Sequence, residues 1–158
     1  MINQFSEEAM LADKLTPLGV EHLLSTTGKT IDEHGVNHPK HYNTDPSGVE
    51  CIDIARHLSF DIGSAFKYIF RAGKKDLSGD ILDSAIKDLK KSVWYIADER
   101  ANFLEWTGDH YLYDPLLKAV IKSRKGHIRQ ALIGFYNQDL SVVRKYVLLE
   151  IERLEKTR

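Results

Sequence analysis

The chain has a single cysteine, Cys51, which excludes an internal disulfide and fits a reducing cytoplasm. No apolar run approaches the roughly 20 residues that span a bilayer, so no membrane partner is expected. The opening Met1-Ile2-Asn3-Gln4-Phe5-Ser6-Glu7-Glu8 has neither a basic nor an apolar leader segment, so a secretion signal is not expected. Charge of one sign is also missing. With 22 basic and 23 acidic residues the formal net charge is -1, which gives no bulk attraction to nucleic acid or anionic lipid. Any anion site must arise from local clustering. No two-residue alternation bounded by turns is present, so strands are minor or absent. A His-Glu-x-x-His pattern is lacking too, and with one sulfur ligand this argues against zinc.

What is present reads as an all-α protein. At 158 residues with 42% apolar side chains, the chain can bury one real core. Three parts are expected: an N-terminal helical arm and loop over 1–36, a helical bundle-like domain over 37–106, and a C-terminal helical extension over 107–158. Residues 6–25 read as one or two helices, and 26–46, rich in Thr, Gly, His, Asn and Pro, as a loop. Ser47-Gly48-Val49-Glu50 matches a capping box, predicting a helix over about 48–58. Asp61 is a candidate cap for a helix over 62–72 that Gly73 stops in the left-handed conformation. A long central helix is predicted over 80–106, with Leu82, Ala85, Ile86, Leu89, Val93, Ile96 and Ala97 on one stripe. Further helices are expected over 114–124, 127–137 and 140–156.

The chemistry gathers between Asn37 and Tyr95. Lys67 and Arg71 share a helix face, away from the stripe of Ile62, Ala65, Phe66 and Ile69, and Lys74 and Lys75 follow at the helix end. Arginine for forked contacts with lysines as mobile point charges suits phosphate; a solvated face of helix-terminal cations is the competing account. Glu50 and Asp53 are three apart, and Asp88 flanks the core stripe of the long helix. Together such carboxylates could hold Mg²⁺, orient a hydroxyl, or pair with Lys67 and Arg71. His41 and Tyr42, in the His38-Pro39-Lys40-His41-Tyr42 loop, suit a phosphate or a base. Thr26-Thr27-Gly28-Lys29-Thr30 carries the ending of a phosphate-binding loop. Leu23 stands where its first glycine belongs, and no strand precedes it, so it reads as an ordinary loop. Lys118, Lys122, Arg124, Lys125, His127 and Arg129 form a second basic patch without a nucleic-acid recognition signature.

His41-Tyr42, Glu50-x-x-Asp53, Lys67-Tyr68-x-x-Arg71-Ala72-Gly73-Lys74-Lys75 and Asp88-Leu89-x-Lys91-x-x-x-Tyr95 resemble a small domain family of tailed phages and prophages. That family is of unknown function and is described as nucleotide-kinase-like; it includes a podoviral kinase of deoxynucleoside monophosphates. The resemblance covers about residues 37–104. It implies a nucleoside phosphate as partner, in the cytoplasm of an infected host cell, with Lys67, Arg71, Lys74, Lys75, His41 and Tyr42 as binding residues. Asp88 and Glu50 would be the catalytic pair, with Mg²⁺ as the candidate cofactor on Glu50, Asp53 and Asp88. The readings left open are phosphoryl transfer to a (deoxy)nucleoside monophosphate, a non-catalytic sponge for a host signalling nucleotide, and a Mg²⁺-dependent pyrophosphohydrolase. Exposed apolar stripes lead us to expect a homo-oligomer.

Overall fold

The structure is a computed structural model, and it describes residues 45–74, 79–97 and 110–158. The chain divides into two compact units, Met1–Pro39 and Lys40–Arg158, and every described residue belongs to the second. The expectations for 6–25, 26–44 and 98–106, and those for His41, Tyr42 and Lys75, lie outside the described residues.

Among the described residues there are six helices and no strand. They are α1 (Cys51–Ala55), α2 (Phe60–Arg71), α3 (Ile81–Ala97), α4 (His110–Ser123), α5 (Gly126–Tyr136) and α6 (Leu140–Lys156). The fold is all-α, as the sequence predicts. No described helix is long and apolar enough to cross a membrane.

Local chemistry sets most boundaries. Gly73, at φ +78°, stops α2 as expected. Asp80 Oδ1 accepts the Leu82 and Asp83 N–H groups at 2.8 and 3.1 Å, which opens α3. Asp139 caps α6 through the N–H groups of Ser141 and Val142. The first helix departs from expectation. Its capping box lies three residues further on, with Glu50 as cap and Asp53 accepting the Glu50 N–H at 3.3 Å. Ser47 is not the cap because Asp45 holds it: the Ser47 N–H and Oγ both donate to Asp45 Oδ1, at 2.9 and 2.6 Å. Gly48, at φ +74°, then turns the chain away from a helical path. Helix α2 starts earlier than predicted, at Phe60 with Ser59 as cap, and Asp61 sits in its first turn instead.

Helices α2 and α3 form an antiparallel pair. Phe60 at the start of α2 meets Tyr95 near the end of α3, while Arg71 at the end of α2 reaches Asp88. Helices α5 and α6 form a second pair, in which His127 near the start of α5 meets Glu150 and Gly134 packs on Val143. Helix α6 also packs along α3, with Lys90 on Glu155 and Asp83 on Arg158. Helix α4 rests on α1 and α5, and His57 stacks on Tyr113. One continuous core joins these elements. Ile62, Phe66, Ile69 and Phe70 of α2, Leu89 of α3, Leu117 and Val120 of α4, and Leu132, Phe135, Val143 and Val147 of the last pair are all buried in it. Burying each such side chain contributes about 1.5–3 kcal/mol, so α2 is the most deeply anchored element, and groups on its flanks are held firmly.

Candidate functional site

The cations of α2 occupy three different settings. Arg71 is buried, only 7% exposed, although periodicity placed it on an open face. Its Nε donates to Asp88 Oδ2 at 2.9 Å and its Nη2 to Asp88 Oδ1 at 2.8 Å, and Asp88 itself is 1% exposed. This forked pair ties α2 to α3. The two residues expected to act as phosphate ligand and catalytic carboxylate therefore neutralise one another.

Lys74 goes elsewhere. Its Nζ lies 2.5 Å from Asp45 Oδ2 and 4.1 Å from the centre of the Phe70 ring. Arg124, from the turn after α4, bonds the same Asp45 oxygen and donates to Phe70 O at 3.1 Å. Ser123 Oγ adds a bond to Asp45 Oδ1 at 3.2 Å. Burial alone would push the Asp45 carboxyl up. The bonds from Lys74 and Ser47 and the charge of Arg124 outweigh it and hold Asp45 down at about 2. Burial pushes the Lys74 ammonium down against the pull of Asp45. This hub fastens the turn before α1, the end of α2 and the end of α4 to one buried anion.

Lys67 is half-buried on the flank of α2. Its Nζ lies 4.9 Å from the centre of the Tyr68 ring, and Lys91 Nζ approaches the same ring from α3 at 5.3 Å. Arg71 is the third cation there, with Cζ at 4.8 Å. Tyr95 stacks on Tyr68 with centroids 5.9 Å apart, and Trp94 and Phe60 meet Tyr95 edge-on. Asp88 balances Arg71, whereas Lys67 and Lys91 form no ion pair among the described residues. Other lysines of α3 do find carboxylates: Lys87 on Asp83 and Lys90 on Glu155. A partly sheltered aromatic shelf with two unbalanced ammonium groups remains.

The carboxylates do not gather. Glu50 and Asp53 are engaged at the start of α1, Asp88 is engaged with Arg71, and among the described residues no group of three His, Cys, Asp or Glu side chains converges as a metal site requires. Cys51 is buried, and its thiol is pushed up to about 12, chiefly by that burial. It is inert packing.

Residues 36–97 match the model of a protein family of unknown function, DUF3310. The match covers less than half of the chain. No curated protein and no solved structure matches the chain. The matched span holds α1–α3, and with them the Arg71–Asp88 pair and the Lys67–Tyr68–Lys91 shelf. Arg124 and α4–α6 lie outside it, so the Asp45 hub joins the matched segment to the rest of the unit.

Of the residues singled out in the sequence, Lys67 and Arg71 lie around Tyr68, with Asp88 behind Arg71. Lys74 belongs to the hub and Glu50 to the start of α1. Lys91, Tyr68 and Asp45 are not among the site residues that the sequence suggests, and Arg124 figures there only in the second basic patch. For Lys91 and Tyr68 the signal was available: both stand in the blocks that carry the family resemblance.

Proposed function

We propose that the α2–α3 hairpin binds a nucleoside phosphate, with Lys67 and Lys91 as its phosphate contacts and Tyr68 as the platform between them. One observation carries the reading. Two lysines from different helices converge on one tyrosine ring without a carboxylate to balance them among the described residues. Two ammonium groups gathered on one ring without a counter-charge favour an anion that bridges them. Lysines act as mobile point charges toward phosphate, and the tyrosine hydroxyl supplies a further donor. The near-neutral chain makes this a local preference rather than a general affinity for polyanions.

Retention of the nucleotide is favoured over its turnover. Phosphoryl transfer or pyrophosphate release asks for a carboxylate that orients the attacking oxygen or holds Mg²⁺. Asp88 is doubly bonded to Arg71, and Glu50 is part of the α1 capping box. The kinase-like reading rests on the resemblance alone.

The test is incubation of the full-length protein with nucleoside mono-, di- and triphosphates, with and without Mg²⁺, followed by separation of bound and converted species. Unchanged nucleotide retained by the protein is expected, and Lys67→Ala and Lys91→Ala should each weaken retention roughly tenfold or more. Retention unaltered in the double variant, or no retention of any nucleotide, refutes the proposal. Converted product that disappears in Asp88→Asn would restore the catalytic reading.

A further inference from the structure

Lys67 stands between two surfaces that could receive the ring part of a nucleotide. On one side is the aromatic tier. Its central ring, Tyr95, is already stacked on Tyr68 and met edge-on by Phe60 and Trp94, so little of it remains to be covered. On the other side is a cleft of about 300 Å³ between α1 and the first turns of α2, with Lys67 in its lining. Gly63 brings the two helices so close that a Cβ there would stand 3.0 Å from Ala55 O, which closes the cleft at its base. Ile52 and Phe60 form its walls, and they are left 52% and 78% exposed. Large exposed apolar side chains lining one concavity favour a flat apolar guest.

Polar groups are few and suit the edge of a ring. Ser59 belongs to the lining, and its Oγ is buried beneath that surface without a hydrogen-bond partner among the described residues. Arg56 stands at the rim, its guanidinium 3.8 Å from Asp53. An anion is disfavoured inside, because Asp61 already places a carboxylate in the first turn of α2, where the helix dipole would otherwise attract one.

We infer that this cleft is the base pocket of the site proposed above. It takes the flat, uncharged ring of a nucleotide whose phosphates lie on Lys67 and Lys91, with Ile52 and Phe60 as its apolar lining and Arg56 at the ring's edge. The inference rests on the nucleoside-phosphate reading and adds where specificity is decided. Lys67 is the residue shared by both parts of the ligand.

Calorimetry with ATP, GTP, CTP and UTP against inorganic tripolyphosphate tests it. At least one nucleotide should bind about tenfold or more tightly than tripolyphosphate, the margin that contact of a base with an aromatic ring provides. Because Ile52 and Phe60 are exposed, Ile52→Ser with Phe60→Ala should leave the helical circular dichroism unchanged. That variant should lose the margin and keep its tripolyphosphate affinity, whereas Lys67→Ala should weaken both ligands. A margin that survives in the double variant, or equal binding of nucleotides and tripolyphosphate by the parent, overturns the pocket and leaves the phosphate site standing. Absence of binding by all five ligands overturns both.

Discussion

Removing the Asp88 carboxylate should unfold this protein more readily than it disturbs any ligand. In Asp88→Ala the Arg71 side chain, 9% exposed in the parent and anchored by α2, loses both forked bonds. Removing one member of a buried ion pair costs about 3–5 kcal/mol. For a domain of this size that lowers Tm by roughly 10–20 °C. Arg71→Met should cost a similar amount by stranding Asp88, which is 1% exposed. Replacing both, as Arg71→Met with Asp88→Leu, removes both stranded charges and should recover most of the loss. Urea and thermal unfolding followed by circular dichroism at 222 nm closes this double-mutant cycle, and a coupling of about 2 kcal/mol or more is expected. The effect should change little between low and high salt, since solvent ions do not reach a pair this deep. A cost under about 1 kcal/mol for Asp88→Ala, as for an exposed pair, would refute a buried tie between the helices. So would an Arg71→Met variant that abolishes nucleotide retention while leaving stability unchanged, since Arg71 would then be a ligand contact rather than a tie between helices.

Other consequences follow from the same geometry. The folded Asp45 carboxyl titrates at about 2 against an ordinary 3.8, so its contribution is complete above pH 4 and is lost as pH falls toward 2. That contribution is about 2 kcal/mol, and the stability difference between parent and Asp45→Asn, measured by urea unfolding, should shrink across that window; a pH-independent difference refutes it. In Gly134→Ala the new Cβ would lie 2.8 Å from Val143 Cγ2 and 2.9 Å from the Val143 backbone nitrogen. Overpacking of about 1–3 kcal/mol should outweigh the helix preference of alanine. Trimming Val143 should not rescue it, because the backbone contact remains; a variant as stable as the parent in thermal melts contradicts this. Cys51 should resist a thiol reagent at pH 8 until the protein unfolds, so that labelling tracks urea concentration, and rapid labelling of native protein would exclude the buried, inert thiol.

Much of the scaffold is legible in short-range sequence signals. The apolar spacing of α2, α3 and α6, the left-handed glycine after α2 and the aspartate caps at 80 and 139 all act within a turn or two of chain. The first helix shows the limit of that reading. Two overlapping capping patterns, at 47–50 and 50–53, compete there, and the choice depends on Asp45 holding Ser47. Charged residues are legible in kind but not in destination. Helical spacing puts Arg71 away from the apolar stripe and leaves phosphate, solvent and a carboxylate as its possible partners; Asp88, 17 residues on, brings it inside.

The order of residues thus settles which segments coil into helices and which of their faces seek the core, because caps, turns and apolar spacing work between near neighbours. It also concentrates lysine, arginine and carboxylate in one stretch. Which of those charges cancel and which form no ion pair among the described residues was decided only by packing. Asp45 meets Lys74 across 29 residues and Arg124 across 79, and Lys91 joins Lys67 at Tyr68 through the pairing of two helices. Electrostatic partners are chosen by distance in space, and that distance exists only after the chain has folded.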